Sequence, residues 1–352
     1  MSGSARLVEC VPNVSEGRRP EVVDEIVAAF AGADPSVLVL DRSSDADHNR
    51  TVLTLAGPGP ALVEAAVAGA RACARLVDLN THRGVHPRLG ALDVLPFVPL
   101  GRATRLAGAA DPDLDCAALA GLAGRRVAAE AGVPVYLYGA AARRPERAAL
   151  PAVRGRGFEA VRAALAAGEA ARAPDLGGPG LHPTAGATAV GAREVLIAFN
   201  VVLAWPDGDW SGTGGGKAAS ASAGEASAGA GLELARRIAA RVRERDGGLP
   251  AVRAMGVALK DRGGPPEGPG LVQVSMNLLD HRLTPPAAAF AAVAELAGRA
   301  GARVVASEIV GLVPAAALAG ADPADLLLAG FTPDLILEER LARALGTHAE
   351  VP

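Results

Sequence analysis

The chain has 352 residues, with 35 Lys and Arg against 38 Asp and Glu, for a formal net charge of −3. That near balance argues against nucleic acid or an anionic membrane surface as a partner. Cys10, Cys73 and Cys116 are odd in number and dispersed, with no CxxC pair, which excludes a disulfide framework and a cysteine zinc site. No run approaches the roughly 18 apolar residues of a spanning helix. The first residues, MSGSARLVECVPN, lack the apolar centre of a signal peptide. A soluble, cytoplasmic protein is expected, long enough for two subdomains. Half the residues are hydrophobic but only 3% are aromatic, so alanine-rich helices should pack closely on small side chains.

In chain order, residues 7–11 form a short apolar strand that runs into Pro12-Asn13-Val14-Ser15-Glu16-Gly17. Helical periodicity follows at 21–30, a buried strand at 37–40 and a strongly polar connection, DRSSDADHNR, at 41–50. A strand at 51–56, an alanine-rich helix at 60–75 and a strand at 92–98 complete a β-α-β-β-α-β series, the order of a ferredoxin-like unit. The later half repeats it. Strands are expected at 195–205, 251–259, 271–278 and 303–310, with helices at 232–243 and 285–299. The expected fold is therefore α+β. It consists of two tandem ferredoxin-like subdomains, 1–190 and 191–340, with an additional α/β segment between them. A doubly wound α/β domain is the alternative, and it would need mostly parallel strands.

The additional segment reads as a helix at 114–131, a strand at 134–138 with both tyrosines, and a helix at 157–167. Tyr136 and Tyr138 share one strand face and are read as core packing, and Arg143, Arg144 and Arg147 as solvated helix charges. The glycine-rich PDLGGPGLHPTAGATAVGAR at 174–193 leads into a strand, and its amides could meet an anion or a flat ligand. It is neither a dinucleotide fingerprint nor a Walker loop. Residues 206–230, dominated by Gly, Ser and Ala, read as a flexible insertion. The tail after Pro333 should be a surface helix.

The most informative stretch is LVDLNTHRGVHPRLGALDVLPFVP at 76–99. His82 and His86 fall within five residues, among Asp78, Arg83, Arg88 and Asp93, and Gly84, Pro87 and Gly90 break any regular element. Histidine both takes and returns a proton near neutral pH, and the arginines could fork onto carboxylates. The spacing of four also suits zinc on a helix, but Gly84 and Pro87 oppose a helical turn and no Glu follows the first histidine. No metal is therefore expected.

Several collinear segments jointly resemble the glutamate formimidoyltransferase family, the transferase part of formimidoyltransferase-cyclodeaminase. They are LVECVPNVSEG (7–17), DHNRTVLTLAG (47–57), HRGVHPRLGALDVLPFVP (82–99) and PVYLYGAA (134–141). To these are added PDLG (174–177), GATAVGAR (186–193), LIAFNVVL (196–203), QVSMNLLD (273–280) and EIVGLVP (308–314). The resemblance implies tetrahydrofolate as acceptor and N-formimidoyl-L-glutamate as donor, in histidine degradation. It also implies a ligand tunnel between two ferredoxin-like subdomains, and a homodimer. It puts the catalytic histidine on His86 and the folate loop on 177–186, with Gly177, Gly178, Pro183 and Gly186 as contacts. The chain stops where a cyclodeaminase domain would begin, so that second activity is expected to be absent.

One imidazole between the attacking pterin nitrogen and the leaving glutamate nitrogen would serve both proton transfers, with His82 in reserve for His86. Asp41 or Asp93 would orient the ring. Arg50, Arg88 and Arg193 would grip glutamate carboxylates, with Asn13, Ser15 and Asn200 as further contacts. Two departures from the family pattern stand out. Some members carry D-x-D where this chain has Asp41-Arg42-Ser43, so that Asp45 or Asp47 would have to supply the second carboxylate. The folate loop also lacks an aromatic. A formyl-transferring or cyclo-ligase-like folate enzyme, a non-catalytic folate-binding protein, and a metal-dependent amidohydrolase using His82, His86 and Asp78 are the rival readings.

Overall fold

Proline decides the layout of the first sheet. The computed structural model describes residues 6–84, 87–102, 115–204, 221–259, 271–328 and 330–346, and the chain divides into two units, 1–194 with 338–352, and 195–337. In the first unit β1 (Arg6–Cys10) and β2 (Asn13–Val14) lie along one line. Both pair antiparallel with β4 (Arg50–Gly57) on one side and β5 (Leu92–Arg102) on the other. Pro12 has no N–H to give the ladder. Its carbonyl accepts from the Leu53 N–H at 3.0 Å, while the Val11 N–H donates to Pro96 at 3.3 Å. The chain thus breaks its strand without losing its place.

β3 (Leu38–Asp45) pairs with β4 at the sheet's edge. Beyond β5 the sheet continues in parallel through β7 (Thr188–Ala192) and β6 (Val135–Gly139). Two helices complete the β-α-β-β-α-β run: α1 (Pro20–Ala31) and α2 (Gly59–Leu76). The added segment contributes α3 (Cys116–Arg126), α4 (Leu150–Arg154) and α5 (Phe158–Ala166). One expectation changes here. The polar stretch from Asp41 to Asp45 is strand, not connection, with Asp41 opposite Thr54 and Asp45 opposite Arg50. An edge strand with alternate residues in solvent accommodates such a polar sequence.

Period-two alternation splits the sheet into two chemically distinct faces. Val8, Cys10, Val14, Leu53, Leu55, Leu92, Leu95, Phe97, Leu137 and Val190 join Ile26, Phe30, Leu62 and Val67 of the helices in the main core. Their strand neighbours point the other way. Over β5, β7 and β6 that second face is covered by a smaller core of Val94, Tyr136, Tyr138, Val153 and Val161. The tyrosines are core residues there, and the Tyr136 hydroxyl donates to the Arg172 carbonyl at 2.6 Å. The last helix, α8 (Leu337–Leu345), also belongs to this unit from Glu338 onward. Its Leu341 and Ala342 are buried and its Arg340 reaches Asp41 at 3.4 Å. The tail helix therefore lies half inside rather than on the surface.

The second unit holds β8 (Ile197–Ala204), α6 (Ala221–Val242), β9 (Val252–Ala258), β10 (Leu271–Leu278), α7 (Pro286–Arg299) and β11 (Arg303–Val310). Its strands are antiparallel in the order β11-β8-β10-β9. Phe199, Val201, Val274, Met276, Ile238 and Val293 fill its core. The insertion expected at 206–230 is helical from Ala221, where alanines sustain a helix despite the glycines; residues 205–220 fall outside the described residues. With antiparallel pairing dominant in both sheets, the class is α+β and not doubly wound.

The scarcity of aromatics has a packing consequence at α2. A Cβ added to Gly69 would come within 2.1 Å of the buried Phe30 ring, so α1 and α2 are held apart by a hydrogen atom at that point. Gly69→Ala is expected to destabilise the protein by about 1–2 kcal/mol despite its gain in helix propensity. Urea denaturation measures this, and an unchanged midpoint would contradict the packing.

Candidate active site

Between α2 and β5 the described residues of 77–91 are held by hydrogen bonds within the stretch and from distant parts of the chain. Asp78 closes its start, with Oδ1 accepting from the Asn80 N–H at 2.9 Å and from its side-chain amide at 2.7 Å. The turn 182–186 is stitched alongside. The Leu79 N–H donates to Thr184, the Ala91 N–H to Ala185, and the Asn80 side chain to the Pro183 carbonyl at 3.1 Å. Gly186, at φ +69°, sits where a Cβ would lie 2.1 Å from the Leu89 carbonyl. Two of the expected folate contacts, Pro183 and Gly186, therefore adjoin the histidine loop. Gly177 lies instead against Pro134 at the entry to β6, next to Leu176, which bridges to Val135; Gly178 follows it, with open space where its Cβ would stand. Ser15 donates to the Gly90 carbonyl at 2.8 Å, an anchor for the same loop.

His86, with Val85, falls outside the described residues. His82 is 8% exposed, and its Nε2 lies 3.0 Å from the Asn49 carbonyl. A carbonyl only accepts, so Nε2 carries the proton and Nδ1 the lone pair. Among the described residues that buried Nδ1 has no hydrogen-bond partner. Burial, with a smaller push from the Arg88 charge, holds the ring below the ordinary histidine range despite the Asn49 hydrogen bond. Asn49 is itself a knot, at φ +48°: its amide donates to Arg83 at 2.9 Å and its oxygen accepts from the Gly17 N–H at 2.9 Å. Arg88 forks onto Glu159 of α5 at 2.9 and 2.7 Å and donates to the Leu79 carbonyl at 3.0 Å. Its guanidinium thus clamps the loop to a helix. Asp45 accepts from His48 at 2.8 and 3.0 Å, which holds it down to about 2.

The second sheet face carries the remaining candidates. Asn13, Asp93 and Tyr138 each adjoin a residue of the main core along the strand, Arg193 follows Ala192 at the end of β7, and Arg50 stands three positions from Leu53 in β4, so these side chains point away from α1–α3. Arg50 donates to the Asn13 side-chain oxygen through Nε at 3.0 Å and also through Nη2, and to Asp93 Oδ2 at 3.3 Å. Arg154 of α4 donates to the same Oδ2 at 2.6 Å. The other Asp93 oxygen accepts from the N–H groups of Leu89 at 2.7 Å and Gly90 at 3.4 Å. Burial and the neighbouring Arg154 charge pull Arg50 down to about 10, against the attraction of Asp93. Tyr138 stands beside Arg193 and Arg154, whose charges oppose the rise that burial imposes on its hydroxyl.

Further along this face Glu9 is 5% exposed. Burial, with Glu338 nearby, pushes it up to about 7 against the pull of Arg193. Asp41 is raised by burial and opposed by Arg340. Arg193 donates to the Glu194 carbonyl at 2.8 Å. Asn200 belongs to the second unit, where its side chain donates to Glu308 at 2.9 Å. Among the described residues no group of three or more His, Cys, Asp or Glu side chains is placed to hold a metal ion.

Sequence reasoning missed Arg154 and Glu159, which lie in a basic helical stretch with no motif. It also misread Arg147, which is 5% exposed rather than solvated. Arg147 pairs with Asp175 at 2.7 Å, stands over the Tyr136 ring and donates to two carbonyls. Arg144 approaches the same Asp175 at 3.7 Å.

Two family models match this chain: "Formiminotransferase domain, N-terminal subdomain" over residues 7–193 and "Formiminotransferase domain" over 228–326. A glutamate formimidoyltransferase of Thermoplasma acidophilum is 40% identical over 339 residues, covering 96% of this chain and 98% of that protein. One of Streptococcus pyogenes serotype M1 is 38% identical over 89% of this chain and 91% of its own. The formimidoyltransferase-cyclodeaminase of Gallus gallus is 38% identical over 89% of this chain but only 51% of its own length.

Two titrations follow from this geometry. Arg88 depresses Glu159 to about 2, so the clamp's stabilisation is complete above about pH 4.5 and is lost as pH falls through 2. Because Glu159 is half exposed, the amplitude is modest, under about 1 kcal/mol. Glu159→Gln should flatten the stability–pH curve in that window. Glu9 has the opposite sign: its raised value makes folding less favourable as pH rises from about 4.5 through 7. Glu9→Gln should therefore stabilise the protein at pH 8 and leave it unchanged at pH 4. Thermal melts across pH measure both, and a Glu9→Gln curve parallel to wild type would contradict the burial of a carboxyl there.

Proposed function

The chain belongs to the formiminotransferase family, and from that premise we propose that it transfers the formimidoyl group from N-formimidoyl-L-glutamate to N5 of tetrahydrofolate. The products are 5-formimidoyltetrahydrofolate and L-glutamate, in histidine degradation. The end-to-end similarity to a glutamate formimidoyltransferase carries this conclusion. Two tandem ferredoxin-like subdomains, 1–190 and 191–340, go with it. The β-α-β-β-α-β order of both units supports them. A homodimer and a cytoplasmic location belong to the same reading through the family resemblance.

In the proposed chemistry N5 attacks the formimidoyl carbon, giving a tetrahedral carbon between two nitrogens. The attacking nitrogen loses a proton and the departing glutamate nitrogen gains one. His86 is proposed to take the first proton and return it to the second, a service that typically contributes 10²–10⁴-fold. The protonated amidine carbon is itself electrophilic, so no metal is needed in this scheme. His82 is the weaker candidate, because its only N–H is spent on the Asn49 carbonyl. Asp41 is proposed to balance charge on the amidine. Arg50, Asn13 and Arg193 are proposed to grip glutamate carboxylates, and Gly177, Gly178, Pro183 and Gly186 to contact the folate. Arg88 is proposed here as a loop clamp rather than a substrate ligand, on the strength of its fork to Glu159.

The purified protein, given formimidoylglutamate and tetrahydrofolate, is expected to form the 5-formimidoyl product, and N-formyl-L-glutamate is expected to be a much poorer donor. His86→Ala should lower turnover by about 10² or more while the melting temperature and the tetrahydrofolate Kd stay close to wild type. Wild-type turnover in that variant removes the assignment of His86, and no transfer by wild type removes the reaction.

A further inference from the structure

The tail helix α8 brings a cation to Asp41. Asp41 stands in the edge strand β3, opposite Thr54 of β4. Thr54 lies between Leu53 and Leu55 of the main core, so Thr54 and Asp41 share the second sheet face. Arg340 Nη2 reaches Asp41 Oδ1 at 3.4 Å, and the two side chains are 31% and 12% exposed. The Arg42 backbone N–H supplies a further hydrogen bond to the carboxyl.

Among the described residues the charge that acts on Asp41 is that of Arg340. Arg42, the next residue in β3, turns to Asp24 of α1, and in β4 Arg50 lies opposite Asp45 rather than Asp41. The other charges of α8 are Glu338, Glu339 and Arg343, of which Glu338 stands near Glu9. Arg340 is not needed to hold the helix, because Leu341 and Ala342 are buried and anchor it. Its Nε is buried with no hydrogen-bond partner among the described residues, and such an N–H costs stability. A residue serving only as an anchor would pair that group or leave it in water.

We propose that Arg340 is a positioning residue for formimidoyl transfer: it fixes the Asp41 carboxylate on the second sheet face, so that Asp41 balances the positive amidine carbon. This rests on the proposed function, in which Asp41 carries that role. Burial alone raises Asp41 and favours its protonated form, which has no charge to offer. Arg340 opposes that rise and takes Oδ1 in a charge-assisted hydrogen bond. It touches the carboxylate through one nitrogen, and so sets an orientation without covering the group as a bidentate fork would. The tail helix thereby completes the site from a residue 299 positions away from Asp41.

Steady-state kinetics with N-formimidoyl-L-glutamate and tetrahydrofolate read the role. Arg340→Gln is expected to lower kcat about tenfold or more while KM for either substrate stays within about twofold. Arg340→Met keeps the apolar stem and carries the same expectation if Arg340→Gln does not fold. Arg340→Lys restores the charge and, with only one contact to replace, should recover to within about threefold of wild type. Arg299→Gln, at an exposed pair with Glu295, is the control and should match wild type. A merely structural Arg340 would lower the melting temperature and leave kcat per folded molecule unchanged. Unchanged kcat in a folded Gln or Met variant overturns the proposal, as does a loss that Arg340→Lys fails to recover.

A second readout stands apart from turnover. Carbon-13 NMR of the aspartate carboxyls, with Asp41→Asn to assign the signal, follows the ionisation of Asp41 directly. In Arg340→Gln the Asp41 carboxyl should titrate at higher pH than in wild type, and in Arg340→Lys close to wild type. An Asp41 titration indifferent to Arg340 overturns the proposal, even if wild type transfers the formimidoyl group. A shifted titration without any transfer by wild type upholds the hold of Arg340 on Asp41 and overturns the reaction.

Discussion

The Asp93 carboxylate is the point on which the polar face of the first sheet depends. It stands one residue into β5 and holds three separate pieces of chain: the Leu89-Gly90 turn through Oδ1, and Arg50 of β4 and Arg154 of α4 through Oδ2. A buried carboxylate without partners would be expelled or protonated. Among the described residues four donors surround it, and the donors become fixed in turn. The end of the histidine loop, the start of β5 and the short helix α4 therefore take their positions from one side chain. Removing it would leave two half-buried guanidiniums facing each other, so its loss would be felt well beyond the strand that carries it.

The histidine loop shows how much of a functional-looking motif is scaffold. In HRGVHPRLG, His82 spends its N–H on the Asn49 carbonyl, and Gly84 is glycine because a Cβ would meet the His48 carbonyl at 2.3 Å. Arg88 forks onto Glu159, and Gly90 faces the Ala187 carbonyl at a distance that excludes any side chain. Among its described residues the loop has no helix or strand, so its backbone groups find partners in the 182–186 turn and in Ser15. A proton shuttle needs a ring with one nitrogen to take the proton and another to be steadied, at a place that substrate reaches. His82, with one nitrogen bound to a carbonyl and the other enclosed, is built to hold shape.

What was legible in the sequence follows from which forces are local. Strands at 7–11, 51–56 and 92–98 and the helices after them announced themselves by period, because alternate residues must enter one core. The strand from Asp41 to Asp45 did not, since an edge strand with one side in water carries no apolar signature. Helix α6 from Ala221 was hidden by glycine and serine among its alanines. Asn13 and Arg50 were singled out as candidates because they sit in segments with a family likeness, and the structure joins them by hydrogen bonds. Arg154 was invisible for a different reason. It meets Asp93 across 61 positions of chain, and its neighbours Arg143, Arg144 and Arg147 look like ordinary solvated charge until Asp175 is seen to bury one of them.

Net charge misleads about such a face. The whole chain is slightly acidic, which disfavours a polyanionic partner, yet Arg50, Arg154 and Arg193 share a surface on which Asp93 is already hydrogen-bonded and Glu9 keeps its proton up to about pH 7. Below that pH the face is more cationic than its composition suggests. The cause is burial, which disfavours the charged form of an acid and leaves an arginine charged, because its ordinary value lies so far above neutrality. A small anion entering the face would strengthen its own hold on the arginines by displacing water. It would also raise the cost of ionising Glu9, so anion binding and protonation of Glu9 favour each other.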